Sequence, residues 1–133
     1  MQRKPEIVFR AMQEDSDGKP RTGNSAITLG VRIEGSHADI LIDSQGQVHP
    51  ETGGMSVTPD DYRRLPNHRL PESLGGRGRH PIFSFQVASL PSSLMLRRDK
   101  PGHAFVEPSK FCLFGEYEQN LRSTREDWVK CHD

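Results

Sequence analysis

HAFVEPSKFCLFGEYEQNLRSTREDWV, residues 103–129, changes its apolar period partway along, and that change decides the fold class. His103 to Glu107 reads as a short strand rich in aromatic and β-branched residues. Beyond it, Tyr117, Leu121, Thr124 and Trp128 recur at i, i+4, i+7 and i+11, which is one face of an α-helix. Glu116, Glu118, Gln119, Asn120, Arg122, Arg125 and Glu126 fill the other faces with polar groups. The pattern predicts a helix from Gly115 to Val129 that docks its apolar face on a sheet, with Trp128 as an anchor.

Working back towards the start, the other apolar runs are short and bounded by turn residues. Glu6–Arg10 (EIVFR), Ile27–Ile33 (ITLGVRI), Ala38–Ile42 (ADILI), Ile82–Ala88 (IFSFQVA) and Leu94–Arg97 all read as strands. Gly53-Gly54-Met55-Ser56-Val57 adds another, with two glycines where backbone must approach something closely. Between residues 58 and 80, proline and glycine are too frequent for regular structure. One helical turn opening at Pro59-Asp60-Asp61-Tyr62, with Thr58 as N-cap, is the most this stretch predicts. A loop of that length in a small domain is functional or mobile. The expectation is an α/β (α+β) domain over 1–133, loop-rich, with a small mixed and mostly antiparallel sheet in two halves and one C-terminal helix.

Composition narrows the function classes. The chain has 133 residues, only 32% of them hydrophobic, with twelve Gly and ten Pro. That predicts a modest core among many turns. Eighteen Lys and Arg balance eighteen Asp and Glu, a formal net charge of +0 that argues against nucleic acid as the partner. A local basic patch stands out at Arg63, Arg64, Arg69, Arg77 and Arg79, where a solvated basic loop is the plain alternative. The first ten residues hold too short an apolar run for a signal peptide, and no stretch reads as a membrane span. Cys112 and Cys131 make no disulfide framework and read as free thiols of a reducing compartment.

Metal chemistry finds little support. The six histidines, at 37, 49, 68, 80, 103 and 132, include no pair at ligand spacing, and neither cysteine has a C-x-x-C partner. Asp15, Asp17 and Gly18 suggest a calcium loop, but its twelfth position falls on Ala26 rather than a bidentate Glu. There is no G-x-S-x-G elbow and no P-loop.

Three segments taken in order say more. Arg10 closes the first strand, Ser56 follows the glycine pair, and Glu107 ends the strand before the final helix. Through I-V-F-R-A at 7–11, P-E-T-G-G-M-S-V at 50–57 and H-A-F-V-E-P-S-K at 103–110, the chain resembles type VI secretion effector toxins with an ADP-ribosyltransferase-like fold. The resemblance implies a transferase that uses NAD as substrate. Arg10 would bind the NAD phosphates with its bidentate fork. Gly53, Gly54, Met55 and Ser56 would shape the nicotinamide-ribose pocket. Glu107 would stabilise an oxocarbenium-like transition state, and His103 would bind the ligand or act as general base. It further implies a cognate immunity protein and a secretion-system carrier as partners. The setting implied is cytoplasmic, reached by export without a cleavable signal into a competing cell. Where the wider superfamily has Ser-Thr-Ser this chain has Gly-Gly-Met-Ser, and no E-x-E or Q-x-E pair surrounds Glu107.

Two other classes remain open. A non-enzymatic binding module or immunity-type protein accounts for the missing E-x-E pair and the low apolar content. A small ribonuclease toxin would use His80, His103 and arginines.

Overall fold

The computed structural model describes residues 6–131, so both ends of the expected 1–133 domain, His132 among them, lie outside the described residues. In chain order the strands are β1 (Ile7–Ala11), β2 (Gln47–Val48), β3 (Met55–Pro59), β4 (Ile82–Gln86), β5 (Leu94–Lys100), β6 (His103–Pro108), β7 (Cys112–Leu113) and β8 (Val129–Lys130). The helix α1 spans Phe114–Arg122. Six strands form one sheet in the order β5-β6-β3-β1-β4-β8, and β2 pairs with β7 in a separate ladder. Each of these pairings is antiparallel. The mixed α/β class with a mostly antiparallel sheet and one C-terminal helix is therefore as the sequence implied.

The sheet has a weak joint. β1 pairs with β4 along its whole length, Ile7 to Ala11. With β3 it pairs only through Val8–Pro59 and Phe9–Thr58, and β3 goes on to pair with β6 through Met55 to Val57. Strand alternation sends Val8, Met55, Val57, Phe83, Phe85, Ala104 and Val106 into the core, where all are buried.

Helix α1 covers that core with Tyr117 and Leu121. It is shorter than the 115–129 the periodicity predicts. Ser123 and Thr124 end it by turning their hydroxyls back onto the carbonyls of Asn120 (2.6 Å) and Leu121 (2.7 Å), competing with the backbone ladder. A single 3-10 turn, Arg125–Asp127, follows. The apolar face still closes as expected. Trp128 is buried against Phe85 with ring centroids 5.0 Å apart, and its Nε1 donates to Thr124 Oγ1 at 3.0 Å. Val129 and Lys130 then join β4 as the edge strand β8.

Two strand assignments need correcting. Residues 27–33 and 38–42 form no strand, only isolated bridges of Leu29 with Thr22 and of Ile40 with Gly53. Leu29, Val31 and Ile40 are buried, as core filling from loops. Their backbone groups are engaged elsewhere: the Thr28 and Gly30 carbonyls accept from Arg10, and the Arg32 N–H donates to the Asp39 carboxylate at 2.6 Å. Thr58 is likewise not an N-cap. It lies in β3, and Asp61 caps the 3-10 turn Tyr62–Arg64 by accepting from the Arg63 N–H.

Among the described residues, no helix is long and apolar enough to cross a membrane.

Candidate functional site

Beyond the short β1–β3 joint, a cleft of about 260 Å³ opens in the sheet. Phe9, Arg10 and Ala11 line one side and Ser56, Val57 and Thr58 the other. Arg32 and Asp39 come from the two segments that failed to form strands, and Ala26 from just before the first of them. Leu65, Pro66, His68 and Arg69 come from the long loop, and His103 from the start of β6. Three of the four residues expected to do chemistry, Arg10, Ser56 and His103, thus line one cleft.

Arg10 is buried, and its guanidinium serves the protein's own backbone. Nη1 donates to the Ser56 carbonyl at 2.7 Å, and Nε to Thr28 O at 3.1 Å. Nη2 reaches Ser25 O, Thr28 O and Gly30 O at 3.1, 2.9 and 3.3 Å. Desolvation by burial lowers its pKa to about 10, with Asp39 opposing and Arg69 adding to the fall. It stays charged at neutral pH. The Ser56 side chain is not its partner: Phe9 lies opposite Thr58, so alternation sets Thr58 and Ser56 on the Phe9 face and Arg10 on the other.

His103 makes a different kind of contact. Its Nδ1 lies 2.6 Å from Asp99 Oδ1, and its ring packs edge-on against Phe105 with centroids 4.7 Å apart. In the tautomer that donates Nδ1–H to Asp99, Nε2 has a lone pair that can accept a proton, and once it has done so the ring presents an Nε2–H donor instead. Asp39, the one carboxylate lining the cleft among the described residues, is held by Arg32, whose Nη2 donates to Asp39 Oδ1 at 2.9 Å. Three arginines against that one carboxylate leave the cleft positive.

Glu107 does not line the cleft. It is fully buried on β6, where Oε2 accepts from Arg97 Nε at 2.9 Å and Oε1 has no partner. The Arg97 guanidinium lies 5.1 Å from the centre of the Phe105 ring. Gly53, Gly54 and Met55 also lie off the cleft lining. The close approach expected at the glycine pair exists, but to the protein itself. A Cβ on Gly53, whose φ is +116°, would sit 2.1 Å from Asp39 O, and the Gly54 N–H donates to that same oxygen at 2.8 Å. Met55 points into the core, and its N–H donates to the Tyr117 hydroxyl at 3.1 Å.

Sequence reasoning passed over Asp99, Arg32, Asp39 and His68 as site residues, and took Arg69 only as part of a basic patch. The i, i+4 spacing of Asp99 and His103 was the one local signal for any of them. His80, the other ribonuclease candidate, lies off the cleft lining. Among the described residues, no group of three or more His, Cys, Asp or Glu could hold a metal ion.

Comparison with known proteins finds no counterpart: no protein family, no curated protein and no solved structure matches this chain.

Proposed function

We propose that the cleft binds the nicotinamide-ribose end of NAD, and that the chain is an ADP-ribosyltransferase-like toxin acting on a target in a competing cell. One observation carries the reading. Arg10 and Ser56, two of the three residues chosen for their order along the chain, and His103, from the same segment as the third, Glu107, come from three strands and line one positive cleft at the short β1–β3 joint of the sheet. A cleft of about 260 Å³ is near the small end of ligand sites, typically about 300–1,000 Å³, and suits half of a dinucleotide rather than all of it.

In the reaction proposed, the ribose C1′–nitrogen bond breaks and nicotinamide leaves with the bonding electron pair. A nucleophile of the acceptor bonds to C1′, and its proton passes to His103 Nε2. Asp99 holds the imidazole in the tautomer this requires. Asp39 lends negative charge beside the developing cation. A cognate immunity protein would protect the producing cell by covering the cleft mouth and the 65–69 loop.

The test is to incubate the protein with adenylate-labelled NAD and a cell lysate, following nicotinamide release and label transfer. Release that disappears in His103→Ala supports the proposal. No release and no transfer by the wild-type chain would overturn it.

His68 and His103 also share the cleft, which keeps a ribonuclease reading in play. Cleavage of an oligoribonucleotide that needs both histidines, without nicotinamide release, would establish that reading instead.

A further inference from the structure

We infer that the anion-binding cation of the cleft is Arg69, and that Arg69 with His103 holds a phosphoryl or pyrophosphate group there while Arg10 remains a buried strut. The inference rests on the reading above only in taking the ligand to carry phosphate.

Arg10 is committed. Its Nε, Nη1 and Nη2 all donate to backbone carbonyls, from Ser25, Thr28, Gly30 and Ser56. Turning the fork towards a ligand would strip several buried carbonyls of their donor at once. Arg69 is uncommitted: among the described residues its side chain has no ion pair and no hydrogen bond. Arg32, the third arginine of the cleft, is already held by Asp39.

The segment carrying Arg69 is built to present it. Leu70 N–H donates to Pro66 O at 2.9 Å, Arg77 N–H to Asn67 O at 2.8 Å, and Gly78 N–H to Leu70 O at 2.7 Å. Glycine is required at the crossing, since a Cβ on Gly76 would lie 2.0 Å from Leu70 O. Bracing of the backbone leaves only the Arg69 side chain itself to be ordered when it meets a ligand. His103 lines the same cleft with its Nδ1 engaged by Asp99, and in the ring form protonated on both nitrogens Nε2–H would donate to an oxyanion. An uncompensated guanidinium and an imidazole lining one cleft favour a compact, multiply charged oxyanion over a single carboxylate.

The experiment is calorimetric titration of the full chain with inorganic pyrophosphate, NAD and succinate at low ionic strength. It uses wild type, Arg69→Ala, Arg69→Lys and, as a control off the cleft lining, Arg79→Ala. Cooperative urea unfolding checks that each variant folds. Pyrophosphate binding is expected in wild type and Arg79→Ala, roughly tenfold or more weaker in Arg69→Ala, and intermediate in Arg69→Lys. Equal binding by Arg69→Ala, succinate binding as tight as pyrophosphate, or no pyrophosphate binding by wild type would each overturn the inference. Nicotinamide release on the same variants separates the two claims. Arg69-dependent pyrophosphate binding without NAD cleavage keeps the site and discards the transferase. Cleavage untouched by Arg69→Ala does the reverse.

Discussion

Arg97 reaches across the β5–β6 ladder to place its Nε 2.9 Å from Glu107 Oε2, leaving Glu107 Oε1 enclosed and without a partner. Glu107 has no exposed side-chain surface, whereas Arg97 keeps 29% of its own. The carboxylate carries most of the desolvation cost, and the arginine retains a route to water.

Glu107→Gln is therefore predicted to change stability little, within about 1 kcal/mol. The amide still occupies the space, the buried charge is gone, and Arg97 can be solvated. Nicotinamide release should be unchanged, because the side chain is not in the cleft. A folded Glu107→Gln chain that has lost its turnover would place Glu107 in the chemistry after all.

Arg10→Lys is predicted to destabilise the fold rather than simply weaken a ligand. An ammonium at this buried position cannot reproduce the spread of donors that the planar fork gives to Ser25, Thr28, Gly30 and Ser56. A loss of about 2–4 kcal/mol in urea unfolding is expected. Full stability with weakened NAD binding would instead show a guanidinium that meets the ligand.

Alkaline pH should find Tyr117. Its hydroxyl donates to Val106 O and accepts from Met55 N–H, and burial raises its pKa. Above about pH 10 the unfolded phenol gives up its proton while the folded one keeps it. The native state then binds more protons, so stability falls as pH rises, and below that pH the contribution is complete. Tyr117→Phe should lose about 1–3 kcal/mol at neutral pH, since it orphans two buried backbone groups. It should also flatten the alkaline limb of a stability–pH curve; an unchanged limb would assign that loss to other groups.

His80 reports on the long loop. Burial lowers its pKa first, and the positive charges of Arg69 and Arg79 add to the effect. Removing the cation in Arg69→Ala should raise the His80 pKa, followed by its imidazole NMR shift across pH. In the wild type the neutral form is favoured on folding. His80 therefore contributes stability above its unfolded pKa of about 6.5, which is lost as pH falls through the lower folded value. A His80 pKa that does not move in Arg69→Ala would place the Arg69 charge elsewhere.

Periodicity exposed the strands around Val8, Val57, Phe83 and Val106 because alternation is local and one face of each is buried. The Tyr117–Trp128 face was legible for the same reason, at the helical period. The end of α1 was not, because Ser123 and Thr124 act through hydroxyl bonds to carbonyls that the period does not register. Ile27–Ile33 has the composition of a strand, yet a side chain distant in sequence, Arg10, takes its carbonyls. The cleft was legible in Arg10, Ser56 and His103. Arg69 and Asp39 enter it through loop paths set by backbone hydrogen bonds, which leave no residue-type signature.

The joint between β1 and β3 also has a mechanical meaning. With two residue pairs there against five between β1 and β4, the sheet behaves as two stiff plates on a compliant seam. Hydrogen bonds along the seam offer little resistance to shear. The Arg10 guanidinium, anchored on β1 and fastened to the Ser56 carbonyl, acts as a tie-bar across the gap. Beyond the two paired residues, the width of the gap between β1 and β3 is bridged by the length of one side chain.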